Sequence, residues 1–260
     1  MVLDKKVSSP SPYFSIIVTT FNSAATVVAA LNSIEKQTFR DFELIIIDDN
    51  SIDNTVEIVR QWLGEHSTIG STILRNENNL GVSTSRNKGI QTAKGRFVNF
   101  LDADDQWLPN RLIDDYVYLI NHNNAMWIFS DYEVYTNGIF NSVRRRKVGE
   151  YRYGDMLSSG NPMGLLTVTI QRILILQVLF EDNRHEDYRL WLNLGRQGIT
   201  AINTGNVVAR YNISESSVSS NKKLSALWTL QVLMDHSKNP IKLTRWMLGY
   251  ILNTIKRSSN

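Results

Sequence analysis

The chain has 260 residues, 42% of them hydrophobic and 20% charged, with no cysteine and a formal net charge of +3. This composition supports a substantial core and excludes wholesale disorder, a disulfide framework, a thiolate metal centre and a cysteine nucleophile, and it favours a reducing compartment. Residues 1–12 are polar, end in Ser9-Pro10-Ser11-Pro12 and read as a flexible leader without the apolar centre of a secretory signal. A repeated grammar then begins. Residues 14–19 form a short β-branched apolar run and predict a buried strand, and Ser23 can cap a helix over 24–37. Residues 42–47 predict a second strand, 53–65 a helix with Val56, Val59 and Leu63 at helical spacing, and 72–74 a third strand. Residues 83–93 predict a helix stopped by Gly95, and 97–101 a strand that runs into acids. Beyond Pro109 come a helix to about His122, a strand over 126–135, a loop holding Arg144 to Lys147, a strand over 165–170, a helix over 186–196 and a strand over 201–211.

Strands that alternate with helices predict an α/β fold, a doubly wound sheet covered on both faces. Ligands of such sheets bind beyond the carboxyl ends of the strands. Three of the predicted strands end in polar residues, at 19–22, 48–51 and 102–105. Their side chains are expected to converge on one edge.

The chemistry concentrates there. Asp102 and Asp104 can share a hard divalent cation, because Mg2+ and Mn2+ prefer oxygen donors and bridge to phosphates. Asp104 or Asp105 could instead cap the helix after Pro109. Asp49 can accept from a nucleobase N–H or ribose hydroxyls, or serve a turn, the role read for Asp48. Thr19 and Phe21 can line a flat base pocket or pack the sheet end. Arg86 suits an anionic ligand or a surface ion pair. Glu186 and Asp187 open a helix, where acids favour the dipole, and can also act as a general base.

The ordered segments SIIVTTFN at 15–22, QTF at 37–39, FELIIIDDNS at 42–51, NLGVSTSRNKG at 79–89, GRFVNFLDADDQW at 95–107 and HEDYRLWL at 185–192 together resemble inverting family 2 glycosyltransferases of the glycosyltransferase-A fold. The stretch 210–221 resembles bacterial surface-polysaccharide members. The resemblance implies a Rossmann-like doubly wound mixed sheet with C-terminal helices, the catalytic domain covering 13–220. It implies a nucleotide diphosphate sugar donor, usually a UDP-hexose, with Thr19, Phe21, Asp49 and Arg86 around the nucleoside. Asp102 and Asp104 are then the ribose and metal–diphosphate ligands, Asp104 the metal ligand itself, with Mn2+ or Mg2+ as cofactor. Asp187 is the implied catalytic base and Glu186 its neighbour. The position after the first strand is often proline in the family; here it is Thr20. Processive members carry Gln-x-x-Arg-Trp; here Lys242 precedes Arg245-Trp246, so one sugar per encounter is expected.

Acceptor recognition is expected from the second half, with Trp107, Trp191 and the loop 161–164 as candidates. Residues 221–260 hold seven Lys and Arg against Asp235, a local charge of +6 that leaves −3 on the remainder. A mildly acidic body predicts no nucleic-acid partner. The tail predicts two amphipathic helices, over 223–235 and 241–256, that pack on the body, associate with a partner or lie on a membrane. No apolar run reaches the ~18 residues of a membrane span. A saccharide acceptor on undecaprenyl diphosphate, at the inner face of the cytoplasmic membrane in capsule or O-antigen synthesis, is the expectation. A sugar-nucleotide pyrophosphorylase and a non-catalytic nucleotide-sugar module are the alternatives.

Overall fold

The computed structural model describes residues 11–66, 69–213 and 222–258. Most of the expected leader lies outside them. In chain order the first half reads β1 (Phe14–Thr20), α1 (Val27–Glu35), β2 (Phe42–Asp48), α2 (Thr55–Glu65), β3 (Ser71–Arg75), α3 (Val82–Thr92), β4 (Phe97–Asp102), β5 (Gln106–Trp107) and α4 (Arg111–Asn121). The second half reads β6 (Trp127–Thr136), β7 (Ile139–Arg144), β8 (Gly149–Tyr151), α5 (Tyr153–Ser159), a 3-10 turn (Leu165–Thr167), β9 (Thr169–Gln171), α6 (Arg172–Ile175), α7 (Glu186–Arg196), β10 (Ala201–Ile213), α8 (Lys222–His236) and α9 (Pro240–Ser258).

The sheet runs β3-β2-β1-β4-β9-β6-β10-β5, with β7 added to β6 and β8 to β10. Strands β3, β2, β1 and β4 are parallel, and β9 joins β4 and β6 antiparallel. The order reverses on either side of β1, which opens a crevice at its carboxyl end. Register brings the polar ends level: Thr20 pairs with Asp48 and Thr19 with Asp102. Phe14, Ile16 and Val18 of β1 enter the core under α1, α2 and α4, while Ile17 enters the core on the opposite face with Ile90, Trp127 and Trp191. Burial on both faces is what a near-continuous apolar parallel strand requires. Helix α3 lies close on β1 because Gly89 has no side chain; a Cβ there would meet Ile17 Cγ2 at 2.5 Å. That approach sets the depth of Arg86, one turn earlier on the helix.

Three local expectations change. Helix α1 starts at Val27, because the Ser23 carbonyl closes a turn onto the N–H groups of Thr26 and Val27 (3.0 and 2.9 Å) while the Ser23 hydroxyl donates to the Phe21 carbonyl. The run 165–170 is half strand: the Gly164 carbonyl accepts from the Thr167 N–H and hydroxyl (2.9 and 2.8 Å), winding a turn before β9. Neither Asp104 nor Asp105 caps α4, whose N-cap is Asn110.

Both tail helices pack on the body. Val232 and Leu233 of α8 belong to the core that holds Trp191, and Leu243, Trp246 and Met247 of α9 pack against it. Gly249 lets α9 close onto the Ser158 carbonyl of α5, where any Cβ would collide. Trp246 is thus a packing residue on α9. Lys222, Lys223, Lys256 and Arg257 have side chains outside the described set.

Candidate active site

Thr20 and Asp48 tie the ends of β1 and β2 together. The Thr20 hydroxyl donates to Asp48 Oδ1 (3.1 Å), and Asp48 also receives the Ser51 N–H (3.0 Å) and an ion pair from Arg75 (3.4 Å). A proline after β1 could not make that side-chain bond. Asp48 is therefore consumed by the turn. Asp49 accepts from Asn76 Nδ2 (2.8 Å), Leu80 N (2.9 Å) and Gly81 N (2.8 Å), which folds the 79–81 turn over the strand ends. A carboxylate has about four acceptor sites, so one is left for a ligand N–H. Beside it the Phe21 ring is 46% exposed, held at the cleft by the Asn22 N–H to Ser51 Oγ and Ile52 N–H to Asn22 Oδ1 bonds (both 2.9 Å). An exposed ring next to a buried acceptor suits a flat, N–H-bearing ring.

Arg86 organises the centre. Its Nη2 donates to both oxygens of Asp102 (2.9 and 3.0 Å), and its Nη1 donates to Glu186 Oε1 (2.8 Å). Thr19 Oγ1 adds a 3.1 Å bond to Asp102. The guanidinium is buried and lies 5.5 Å from the Phe180 ring centroid. Burial lowers its pKa, but the Asp102 and Glu186 carboxylates outweigh that and raise it well above the usual arginine value. The fork joins the β4 end to the start of α7, and Arg86 itself lies 100 positions from Glu186. Asn87 secures the same junction, with Nδ2 to Phe180 O (2.8 Å) and Phe180 N to its Oδ1 (2.9 Å).

Asp104 is exposed. Desolvation and the adjacent Asp102 charge raise its pKa, and its own N–H and Arg86 only partly oppose them. A cation at that point relieves the repulsion, and the donors are all oxygen, so the pair fits Mg2+ or Mn2+. Asp102 is already engaged by Arg86, which makes Asp104 the freer ligand. No cluster of three or more ligating side chains occurs among the described residues. Phosphate and water oxygens can supply further ligands. Asp105 is buried and takes the Asn212 N–H (2.9 Å), pinning β10 to this loop.

Asp187 accepts from Tyr188 N on Oδ1 (2.7 Å) and from Asn161 Nδ2 on Oδ2 (2.8 Å). Desolvation and then the Glu186 charge push its pKa up to about 6, against the pull of His185, the Tyr188 N–H and Arg86. A carboxylate tuned close to neutral pH is a competent general base. The Arg86 charge lowers the pKa of Asp104 and of Asp187 alike.

Asn161 was foreseen only as part of a shaping loop, and His185 not at all. His185 holds φ +55° just before Glu186, and its Nε2 lies 3.1 Å from the Ser225 carbonyl of α8. Left-handed backbone at a non-glycine residue is uncommon and clusters at functional turns. The tail thus braces the turn that presents Glu186 and Asp187. His185→Gly is expected to be about 1 kcal/mol more stable than His185→Ala in urea denaturation, because only glycine escapes the Cβ penalty at positive φ. Equal stabilities would show that the turn relaxes. Of the two roles open to Trp107 and Trp191, contact or core, both take the core one: they are 3% and 0% exposed, and Trp107 Nε1 donates to Leu166 O (2.9 Å). Neither presents a stacking face.

Over residues 15–176 the chain matches the family described as Glycosyl transferase family 2. The chain belongs to glycosyltransferase family 2. Over 248 residues it is 35% identical to WfgD of Escherichia coli, described as UDP-Glc:alpha-D-GlcNAc-diphosphoundecaprenol beta-1,3-glucosyltransferase, with 94% of each chain covered. TarS of S. aureus in complex with UDP-GlcNAc superposes with a TM-score of 0.70 at 20% identity, covering 92% of this chain and 71% of that one. The mannosyltransferase PcManGT from Pyrobaculum calidifontis in complex with GDP-Man and Mn2+ gives 0.64 at 18% identity, covering 93% and 69%. The fold is that of the glycosyltransferase-A class, as the sequence motifs implied. Membership in family 2 sets aside the pyrophosphorylase alternative.

Proposed function

We propose that this family 2 enzyme moves one hexose from a UDP-sugar to a saccharide carried on a lipid diphosphate, with inversion, in bacterial surface-polysaccharide assembly. One observation carries the reading: the Arg86 fork bridges Asp102 and Glu186 and so joins a phosphate-binding sheet edge to a general-base turn. The printed activity of the relative WfgD supports the donor and acceptor classes. Phe21 and the remaining acceptor site of Asp49 receive the base, and Thr19 and Asp102 face the ribose. Asp104, with Asp102, would hold Mn2+ or Mg2+. When bound, such a cation neutralises the charge that develops on the departing diphosphate. Asp187 takes the proton of the acceptor hydroxyl as that oxygen attacks the anomeric carbon opposite the leaving group. One displacement turns an α-linked donor into a β-linked product.

A nucleotide-sugar screen with and without Mn2+ tests this. UDP-hexoses are expected to raise the melting temperature in a Mn2+-dependent way and to release free UDP, and Asp104→Asn to remove the metal dependence. Release of pyrophosphate, or a Mn2+ response that survives Asp104→Asn, contradicts the assignment. No described helix is long and apolar enough to cross a membrane. The outer face of α9 nevertheless exposes Ile241 (79%), Leu248 and Leu252 beside Lys242 and Arg245. That face suits peripheral contact with an anionic membrane at the cytoplasmic side. The full chain is expected to float with phosphatidylglycerol vesicles, and equal flotation of Leu248→Gln/Leu252→Gln rules out this face.

A further inference from the structure

Of the acceptor's two parts beyond the sugar, a diphosphate and an apolar chain, neither has a place in the site described above. Two adjoining surface cavities match them. The first, about 540 Å3, is lined by four consecutive cations, Arg144, Arg145, Arg146 and Lys147, closed by Ser159 and Asn253, and no acid lines it. The second, about 610 Å3, is an apolar groove along α9 whose floor includes Leu248 and Leu252. Ser158 and Leu252 of the groove are the chain neighbours of Ser159 and Asn253 of the basic pocket.

The basic pocket has cationic capacity to spare. Arg145 is largely exposed, and its ion pair with Asp131 is loose, at 3.7 Å. Arg146 gives Nε to the Pro162 carbonyl (2.9 Å) and Nη1 to the Arg145 carbonyl (3.3 Å), and among the described residues it forms no ion pair. Burial and the neighbouring Arg144 charge lower its pKa, a cost that an anion in the pocket removes. Guanidinium groups in this setting favour phosphate oxygens.

Position decides between possible anions. Pro162, which anchors Arg146, directly follows Asn161, whose Nδ2 donates to the Asp187 carboxylate at 2.8 Å. A lining residue of the pocket is therefore the chain neighbour of the residue that holds the proposed base. It stands on the β6–β7–β8 side, away from the β1–β4 crevice that takes the donor diphosphate. In a sugar diphosphate ester, a single pyranose ring separates an attacking hydroxyl from the anomeric phosphate. A hydroxyl placed at Asp187 thus keeps its phosphates within one ring of the proposed base.

We infer that the Arg144–Lys147 pocket binds the diphosphate of a lipid-linked sugar acceptor and that the α9 groove beside it takes the start of the lipid chain. The inference rests on the proposed function and adds the acceptor subsite. It also assigns the cations of the β7–β8 connection, which the donor site does not use.

The test is equilibrium binding to the full chain saturated with UDP, so that the donor site is filled. The probes are a short-chain alkyl ester of N-acetylglucosamine diphosphate and the matching alkyl glycoside without phosphate. Arg145→Gln/Lys147→Gln is expected to weaken the diphosphate probe about tenfold or more, to leave the glycoside unchanged and to keep UDP affinity as evidence of folding. Leu252→Gln is expected to weaken the alkyl diphosphate sugar more than N-acetylglucosamine 1-diphosphate lacking the chain. Equal affinity of the double variant and wild type for the diphosphate probe overturns the inference, as does displacement of that probe by UDP. Charge-dependent binding of phosphatidylglycerol vesicles with no preference for the diphosphate probe overturns it as well, in favour of general membrane attraction. If UDP-hexoses are not turned over while probe binding stays charge-sensitive, the functional reading falls and the pocket assignment stands.

Discussion

Asp187→Asn is expected to fold, to bind UDP with wild-type affinity and to transfer sugar about 1,000-fold more slowly, in line with the usual contribution of a positioned general base. Asparagine can keep the bond from Tyr188 N, and Asn161 can turn its Oδ1 to the new amide only by giving up the Met163 N–H, but asparagine cannot take a proton. The pH profile gives a second, independent readout. The base acts only when ionised, and burial with the Glu186 charge places its pKa at about 6. Wild-type kcat/KM should therefore climb with pH up to about 6 and then level, while the residual rate of the variant stays flat across that range. The stability sign is opposite to that of an ordinary salt-bridged acid. Because the folded-state pKa lies above the unfolded value, the fold favours protonated Asp187. Wild type loses stability as pH rises from the ordinary carboxylate range through about 6, and Asp187→Asn does not. Near-wild-type turnover by the variant would remove Asp187 from the mechanism.

Arg86→Met is expected to carry the largest structural penalty of any substitution at the site. It leaves Asp102 and Glu186 without their shared cation and separates β4 from α7. Losing one member of a fully buried ion pair costs about 3–5 kcal/mol. Asp102 and Glu186 retain solvent contact, with side chains 37% and 24% exposed, so about 2–3 kcal/mol is expected here. Urea denaturation measures that loss, and UDP thermal shift should vanish with it. Arg86→Lys keeps the charge but not the two-pronged fork, so it should recover much of the stability and little of the transfer rate. A methionine variant as stable and active as wild type would show that the acids are held together by something else.

How much of this was legible beforehand follows from the range of the interactions. The β1, β2 and β4 strands and the helices between them were readable because local apolar runs and turn residues specify them, and the polar strand ends marked the binding edge. The β6–β7 hairpin carried a signal that went unread: Asn137-Gly138, with φ +51° and +77°, is the sequence that a tight two-residue turn demands. Helix α5 was hidden because its seven residues are too few to show a period, and the short run 165–170 could not be told from a strand by pattern alone. For Arg86, a surface ion pair was the reading that the sequence favoured over a ligand site. The fork to Asp102 and Glu186 exists only because α3 sinks onto β1 at Gly89 and Phe180 is held by Asn87.

The sequence by itself determined the family, the alternating α/β order, the acids and the cation at the strand ends, and the amphipathic character of the tail. These follow from residue types and short spacings, which are properties of neighbours in the chain. Tertiary structure alone decided that Trp107 and Trp191 are core, that α8 braces His185 and that Asn161 reaches Asp187. It also decided that Arg144 to Lys147 line one pocket with Pro162, Ser159 and Asn253. Each of those facts depends on contacts between residues far apart in sequence, fixed by side-chain packing and strand register, which no local pattern encodes.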